Sequence, residues 1–293
     1  MNWQGIIPAI TTPFREDLSV DHDFLARHAS WMADAGCTGV VALGSLGEGA
    51  TLEPEEKIAI LKTCVRALHV PVTAAISALS TDAAVRLAKE AQQAGCSGLM
   101  VLPPYVYSTD WREMKAHIAA ILRATDLSCM LYNNPIAYRT DFLPEHVAEL
   151  AGEHENLHAV KESSADIRRV TAIRSLIGER LAILVGVDDL IVEGIAAGAT
   201  GWIAGLVNAL PRESVDVFDG ALRGDDVSDL YRWFLPLLRL DTVPKFVQLI
   251  KLVQQEVGMG SERVRPPRLP LAGQERDEAL RVIRAALGAR PRA

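Results

Sequence analysis

The chain has 293 residues, 49% of them hydrophobic and 23% charged, with a formal net charge of -7. That balance is the balance of a globular protein with a sizeable core, and it excludes disordered and fibrous classes. The charge is spread without a basic block, so nothing favours nucleic acid or an anionic membrane as partner, and a small-molecule substrate is expected.

Met1-Asn2-Trp3-Gln4-Gly5-Ile6-Ile7-Pro8 has no basic stretch followed by a long apolar one. No later segment approaches the about 20 apolar residues of a membrane span, which predicts a cytoplasmic protein. Strand candidates then recur down the chain: Gly5 to Ile10, Val40 to Leu43, Val72 to Ile76, Gly98 to Met100, Leu127 to Tyr132, Leu157 to Val160, Leu181 to Val185, and the run at Trp202-Ile203. Between them lie helical segments with plausible starts. Pro54-Glu55-Glu56 opens Lys57 to Leu68, Thr81-Asp82 precedes Ala83 to Ala94, and Ser108-Thr109-Asp110 precedes Trp111 to Ala124.

An internal echo sets the architecture. Ala35-Gly36-Cys37-Thr38-Gly39, Ala94-Gly95-Cys96-Ser97-Gly98 and Ala197-Gly198-Ala199-Thr200-Gly201 each read as a helix stop, a tight turn and a strand start. Their separations of 59 and 103 residues are two and three units of one strand plus one helix. Eight such alternations predict a closed (β/α)8 TIM barrel over residues 1–223. The remainder, 224–293, is predicted as a C-terminal helical extension: Arg212 to Leu222 closes the barrel, followed by Asp226 to Leu240, Pro244 to Val257 and Glu275 to Leu287. The connector Arg265-Pro266-Pro267-Arg268-Leu269-Pro270 reads as a rigid packed crossing. Cys37, Cys64, Cys96 and Cys129 show no CxxC spacing and read as buried packing thiols.

The ends of the strands carry the chemistry. Lys161 stands just past the run Leu157-His158-Ala159-Val160, so its amine is expected on the catalytic rim of the barrel, as a nucleophile or as a cation paired with a carboxylate such as Glu162. Tyr132 ends the preceding strand, either as an aromatic plug or as a proton carrier beside the amine. Gly44-Ser45-Leu46-Gly47-Glu48-Gly49 follows the second strand, and its backbone N–H groups with the Ser45 hydroxyl suit a carboxylate. The glycine order fits no dinucleotide or P-loop pattern, so no cofactor is expected. His154-Glu155-Asn156-Leu157-His158 matches a zinc-protease pattern, but Gly152 is expected to end the helix and Leu157 to open a strand, so no metal is expected. Asp188-Asp189 can cap a helix as easily as touch a ligand.

These residues together resemble the dihydrodipicolinate synthase / N-acetylneuraminate lyase family, from Gly5 to the final helix. Gly44-Ser45-Leu46-Gly47-Glu48 looks like the family's GxxGE carboxylate loop, Tyr132-Asn133-Asn134-Pro135 like its YNxP proton-relay tyrosine, and Val160-Lys161-Glu162 like the strand bearing its Schiff-base lysine. The resemblance implies that Lys161, Tyr132 and Ser45 are catalytic and that Gly44, Leu46, Gly47, Glu48, Gly186 and Ile203 line the substrate pocket. It also implies a homotetramer. Synthases usually carry threonine at Ser45 and Leu46, a tyrosine at Val106 that reaches a neighbouring subunit's site, and an arginine near Ala137. Those departures weaken the synthase reading, and the hydroxyl lost at Leu46 breaks the usual relay. The strings Tyr132 to Tyr138, Gly44-Ser45-Leu46-Gly47-Glu48, Lys161-Glu162-Ser163-Ser164, Gly186-Val187-Asp188-Asp189 and Pro244 to Gln248 are similar to the 1-pyrroline-4-hydroxy-2-carboxylate deaminases of bacterial hydroxyproline breakdown. That subgroup implies release of ammonia and 2-oxoglutarate semialdehyde. The alternatives are dihydrodipicolinate synthase, another pyruvate-type aldolase or lyase, and a catalytically silent 2-oxo acid sensor.

Overall fold

The computed structural model describes residues 1–104 and 110–291. Short runs of apolar residues form parallel strands buried on both faces: β1 (Gly5–Pro8), β2 (Val40–Ala42), β3 (Val72–Ile76), β4 (Gly98–Val101), β5 (Ser128–Asn133), β6 (Leu157–Glu162), β7 (Ala182–Val185) and β8 (Gly201–Ala204). Burial on both sides explains why these runs are nearly continuous in apolar residues rather than alternating. The ladder runs β1-β8-β7-β6-β5-β4-β3-β2. Its ends meet where Ala9 pairs with Val41, with Ile10 N donating to Val41 O at 2.9 Å and Thr38 N to Ile6 O at 2.8 Å. The result is the expected (β/α)8 barrel.

The outer layer comprises α1 (His22–Asp34), α2 (Pro54–Ala67), α3 (Thr81–Gln93), α4 (Trp111–Leu122), α5 (Pro135–Tyr138), α6 (Pro144–Glu153), α7 (Arg168–Ile177), α8 (Ile191–Ala196) and α9 (Pro211–Arg223). Local chemistry fixes their starts. Glu53 and Glu56 form a reciprocal capping box ahead of Pro54, and Ser80 and Asp110 accept from Ala83 N and Glu113 N. Ser80 therefore starts α3 two residues earlier than Ala83; Ser108 and Thr109, also expected near a helix start, lie outside the described residues. The three echoed glycines do stop helices: Gly36, Gly95 and Gly198 have φ of 111°, 92° and 103°, a left-handed turn in which a side chain is strained.

Beyond the barrel run α10 (Ser228–Leu238), a one-turn 3-10 segment (Arg239–Asp241), α11 (Phe246–Glu256) and α12 (Gly273–Gly288). The connector is pinned as expected. The Arg265 guanidinium meets both Glu56 carboxylate oxygens at 2.7 and 2.9 Å and donates to Leu18 O and Thr51 O. No described helix is long and apolar enough to cross a membrane. All four cysteines are buried, and burial pushes each thiol up to about 12.

One expected boundary moves. Gly152 lies inside α6, which ends at Glu153 with His154 as its cap, because nothing at Gly152 forces a left-handed turn. His154 and His158 still fall on different elements, a helix end and a strand, so they do not share a helix face. His154 is buried rather than solvated, and His158 hydrogen-bonds Ser128 Oγ at 2.8 Å.

Candidate active site

Strand alternation sorts the residues at the ends of β5 and β6. Tyr132 and Lys161 are register partners, and so are Asn133 and Glu162. Successive side chains point to opposite faces. One pair enters the barrel: Lys161 Nζ lies over the Tyr132 ring, 4.1 Å from its centroid. The other pair points into the helix layer. There Asn133 Nδ2 donates to Glu162 Oε2 at 3.1 Å, Ser164 N to Glu162 Oε1 at 2.7 Å, and Asn133 Oδ1 accepts from Phe142 N. Glu162 is therefore not the counter-ion of Lys161.

The carboxylates that act on the amine come from elsewhere. Burial brings Lys161 down to about 8, while Asp241 and Asp188 push the other way. Asp188, after β7, is fully buried and saturated: Trp202 Nε1 donates to it at 2.9 Å, Leu206 N at 2.8 Å and Gly205 N at 3.1 Å. Burial still pushes its carboxyl up to about 6. Asp241 arrives from the 3-10 turn after α10, and burial with the like charge of Asp188 holds its carboxyl well above the usual carboxylate range.

Gly186, at the end of β7, gives Lys161 its room. A β-carbon there would stand 2.4 Å from Lys161 Cε and 2.0 Å from Ser163 Oγ. The lysine stem is therefore laid against bare backbone, which fixes the direction of the amine.

The glycine loop after β2 folds tightly. Gly49 N donates to Gly44 O at 3.1 Å, and a β-carbon at Gly49 would fall 2.0 Å from Leu43 O. Among the described residues no acceptor takes the N–H groups of Ser45 and Leu46. Ser45 Oγ is joined by a short hydrogen bond to the Tyr138 hydroxyl, and the Tyr138 ring stands edge-on to Tyr132 at 5.6 Å between centroids. Burial pushes the Tyr132 phenol up to about 12, while hydrogen bonds with Asn134 and Tyr138 pull the other way. The Ser45 and Tyr138 hydroxyls are thus joined, and the Tyr138 ring sets that pair beside Tyr132.

Several sequence expectations are corrected here. Glu48 does not offer a free carboxylate to the pocket. It is buried at 1% exposure, pairs with Lys251 at 2.6 Å and accepts from Arg265 N at 2.9 Å, tying the loop to α11 and the connector. The broken relay is also revised, because Tyr138 supplies a hydroxyl where Leu46 has none. Leu46 and Ile203 are buried apolar residues, Ile203 within β8 beside Ile7. Gly44 faces Met100, and Gly47 abuts Ile10 O. Val106 lies outside the described residues. Sequence reasoning missed Tyr138 and Asp241 and left the role of Asp188 open.

A (β/α)8 barrel that presents an amine and a phenol at the ends of adjacent strands is the frame of a Schiff-base-forming lyase, and this enzyme is of that class. The sequence profile of the dihydrodipicolinate synthetase family matches residues 2–286, and the chain belongs to that family. It is 32% identical over 273 residues to a 4-hydroxy-tetrahydrodipicolinate synthase of Methanothrix thermoacetophila, covering 92% of this chain and 91% of that one. A protein of the same name from Agrobacterium fabrum is 32% identical over 269 residues, covering 90% and 92%. Among solved structures, the chloride-inhibited dihydrodipicolinate synthase of Acinetobacter baumannii, complexed with pyruvate, superposes with a TM-score of 0.92 at 28% identity, covering 97% and 99%. The synthase of Aquifex aeolicus gives 0.91 at 26% identity, covering 98% of each chain.

Proposed function

We propose that Lys161 Nζ forms an imine with C2 of a 2-oxo acid or its cyclic imine, and that Tyr132 moves the protons of carbinolamine formation and collapse. The observation that carries this reading is the amine itself, buried, 4.1 Å from the Tyr132 ring centroid, brought down to about 8 and engaged in no direct ion pair among the described residues. At pH 7 an amine of that strength is about one-tenth unprotonated, far more than an ordinary lysine. Ser45 and the loop amides hold the substrate carboxylate.

For the particular reaction we favour deamination of 1-pyrroline-4-hydroxy-2-carboxylate. Support comes from the apolar Leu46, from Ala137 where a synthase arginine is expected, and from a carboxyl group, Asp241, near the amine that suits the loss of hydroxide. Lys161 adds to C2 and the ring nitrogen departs as an amine on C5. C3 then loses a proton and C4 its hydroxyl, as water. The double bond moves to give an imine at C5, and water enters at C5 and at C2. The products are ammonia and 2-oxoglutarate semialdehyde, and Lys161 is returned.

A second reading is condensation of pyruvate with aspartate semialdehyde, favoured by the names of the relatives and by the joined hydroxyls of Ser45 and Tyr138. Assay of both reactions under matched conditions separates them. Deamination is expected to have the higher kcat/KM, since no arginine stands at Ala137 to grip the second carboxylate of a condensation substrate. A higher value for condensation transfers the assignment to the synthase reaction and leaves the imine standing.

A further inference from the structure

Two carboxylates act on Lys161, and their surroundings differ. Asp188 has its oxygens taken up by Trp202, Gly205 and Leu206, so it has no lone pair directed at a ligand that is not already used. Asp241 has no hydrogen-bond or ion-pair partner among the described residues, although it is half-buried. Its carboxylate stands against Gly205, just past β8. A β-carbon on Gly205 would meet Asp241 Oδ1 at 2.1 Å and Cγ at 2.5 Å, and those are its closest contacts.

The turn that brings Asp241 there is anchored from outside the barrel. Arg239 Nε pairs with Asp189 Oδ2 at 3.5 Å, and the Tyr231 hydroxyl donates to Asp189 O at 2.6 Å. A partnerless carboxylate is thus held over bare backbone at the mouth, near the two groups of the imine site. A half-buried carboxyl that pairs with no described group adds no hydrogen bond or ion pair to the fold, and its oxygens stay open to a ligand.

We propose that Asp241 is a further catalytic residue, the group that takes up and returns the proton at the carbon next to the imine carbon of substrate bound to Lys161. The proposal rests on the imine reading above. The C–H bond at C3 breaks, its proton goes to the Asp241 carboxylate, and its electron pair moves through C2 to the iminium nitrogen, leaving a neutral enamine and a carboxylic acid. In the elimination the nitrogen pair returns, a C3–C4 double bond forms and the C4–O bond breaks. The departing hydroxide takes the proton of Asp241 and leaves as water, which restores the carboxylate. The raised pKa of Asp241 suits it to hold the proton between those two halves.

Pyruvate is the probe, because its imine needs only C3 proton transfer to exchange its methyl hydrogens for deuterium. Borohydride trapping reports the imine, and proton NMR in heavy water reports the exchange. Asp241→Asn is expected to form the Lys161 adduct within a few-fold of the wild-type yield while methyl exchange falls about 100-fold or more. Asp241→Glu is expected to recover part of the exchange. Gly205→Ala, which displaces the carboxylate without removing it, is expected to slow exchange in the wild-type background and to add nothing on Asp241→Ala. Exchange at the wild-type rate in Asp241→Asn overturns the proposal. Absence of any adduct in the wild type overturns the imine reading, and the proposal with it.

Discussion

Gly186 and Lys161 share one space: the lysine stem lies where a side chain on residue 186 would stand, 2.4 Å from Lys161 Cε. The smallest possible addition there therefore tests whether the direction of the amine matters. Gly186→Ala is expected to lower the rate of imine trapping by about 100-fold, the cost of misplacing a reacting group by about an ångström. Far-ultraviolet circular dichroism is expected to stay that of the wild type. An unchanged trapping rate means that the lysine reaches its substrate by another path.

The joined hydroxyls of Ser45 and Tyr138 give a second expectation. Tyr138→Phe removes the hydroxyl partner of Ser45 beside Tyr132 while keeping the ring that stands edge-on to it. Its kcat is expected to fall about 10- to 100-fold, with KM moved little, because proton movement rather than binding is lost. Ser45→Ala is expected to raise KM as well, since in the proposed reading it also holds the substrate carboxylate. A Tyr138→Phe enzyme with wild-type kcat removes Tyr138 from the relay.

The acidity of Lys161 sets a pH dependence. The amine attacks only when unprotonated, and burial brings it down to about 8. The rate of adduct formation is therefore expected to rise with pH up to about 8 and then to level off. The groups facing it from β5, β7 and the turn after α10, Tyr132, Asp188 and Asp241, titrate with it as a cluster, so the midpoint belongs to the set. Both carboxylates raise the lysine, so Asp241→Asn is expected to move the midpoint to lower pH. A midpoint at the ordinary lysine value of about 10.4 contradicts the desolvated environment.

Lys251 and Glu48 form a buried pair at 2.6 Å, with the ammonium also donating to Thr12 O and Arg263 O. Lys251→Met leaves the Glu48 carboxylate buried without its cation. The expected cost is about 3 to 5 kcal/mol of stability, read as a fall of roughly 10 °C in Tm. A fall of less than a degree or two means that the loop does not depend on this pair.

How much of the site could be read from sequence follows from where its parts lie in the chain. Lys161, Tyr132 and the glycine loop each end an apolar run, and parallel strands bring such ends to one rim, so local pattern and topology sufficed. The helix stops at Gly36, Gly95 and Gly198 were legible because a left-handed turn demands glycine. Asp241 was not, because Arg239-Leu240-Asp241 reads as the exposed end of a helix, and only the packing of that turn on the β7 loop carries it to the mouth. Glu48 was misread for the converse reason: its partner, Lys251, lies on a helix 203 residues away. Tyr138 lies only six residues past Tyr132, but the one-turn α5 that aims it is too short to have a periodicity.

The most direct test of the account is the site of covalent attachment. The protein is reduced with borohydride in the presence of pyruvate or of 1-pyrroline-4-hydroxy-2-carboxylate, digested, and its peptides mapped by mass spectrometry. A single adduct on Lys161, absent from a folded Lys161→Ala variant without turnover, is the expected result. The informative competitor is Lys251, also buried and also brought down to about 8 but held by Glu48. An adduct on Lys251 or any other lysine, or none with a substrate that is demonstrably turned over, contradicts the account.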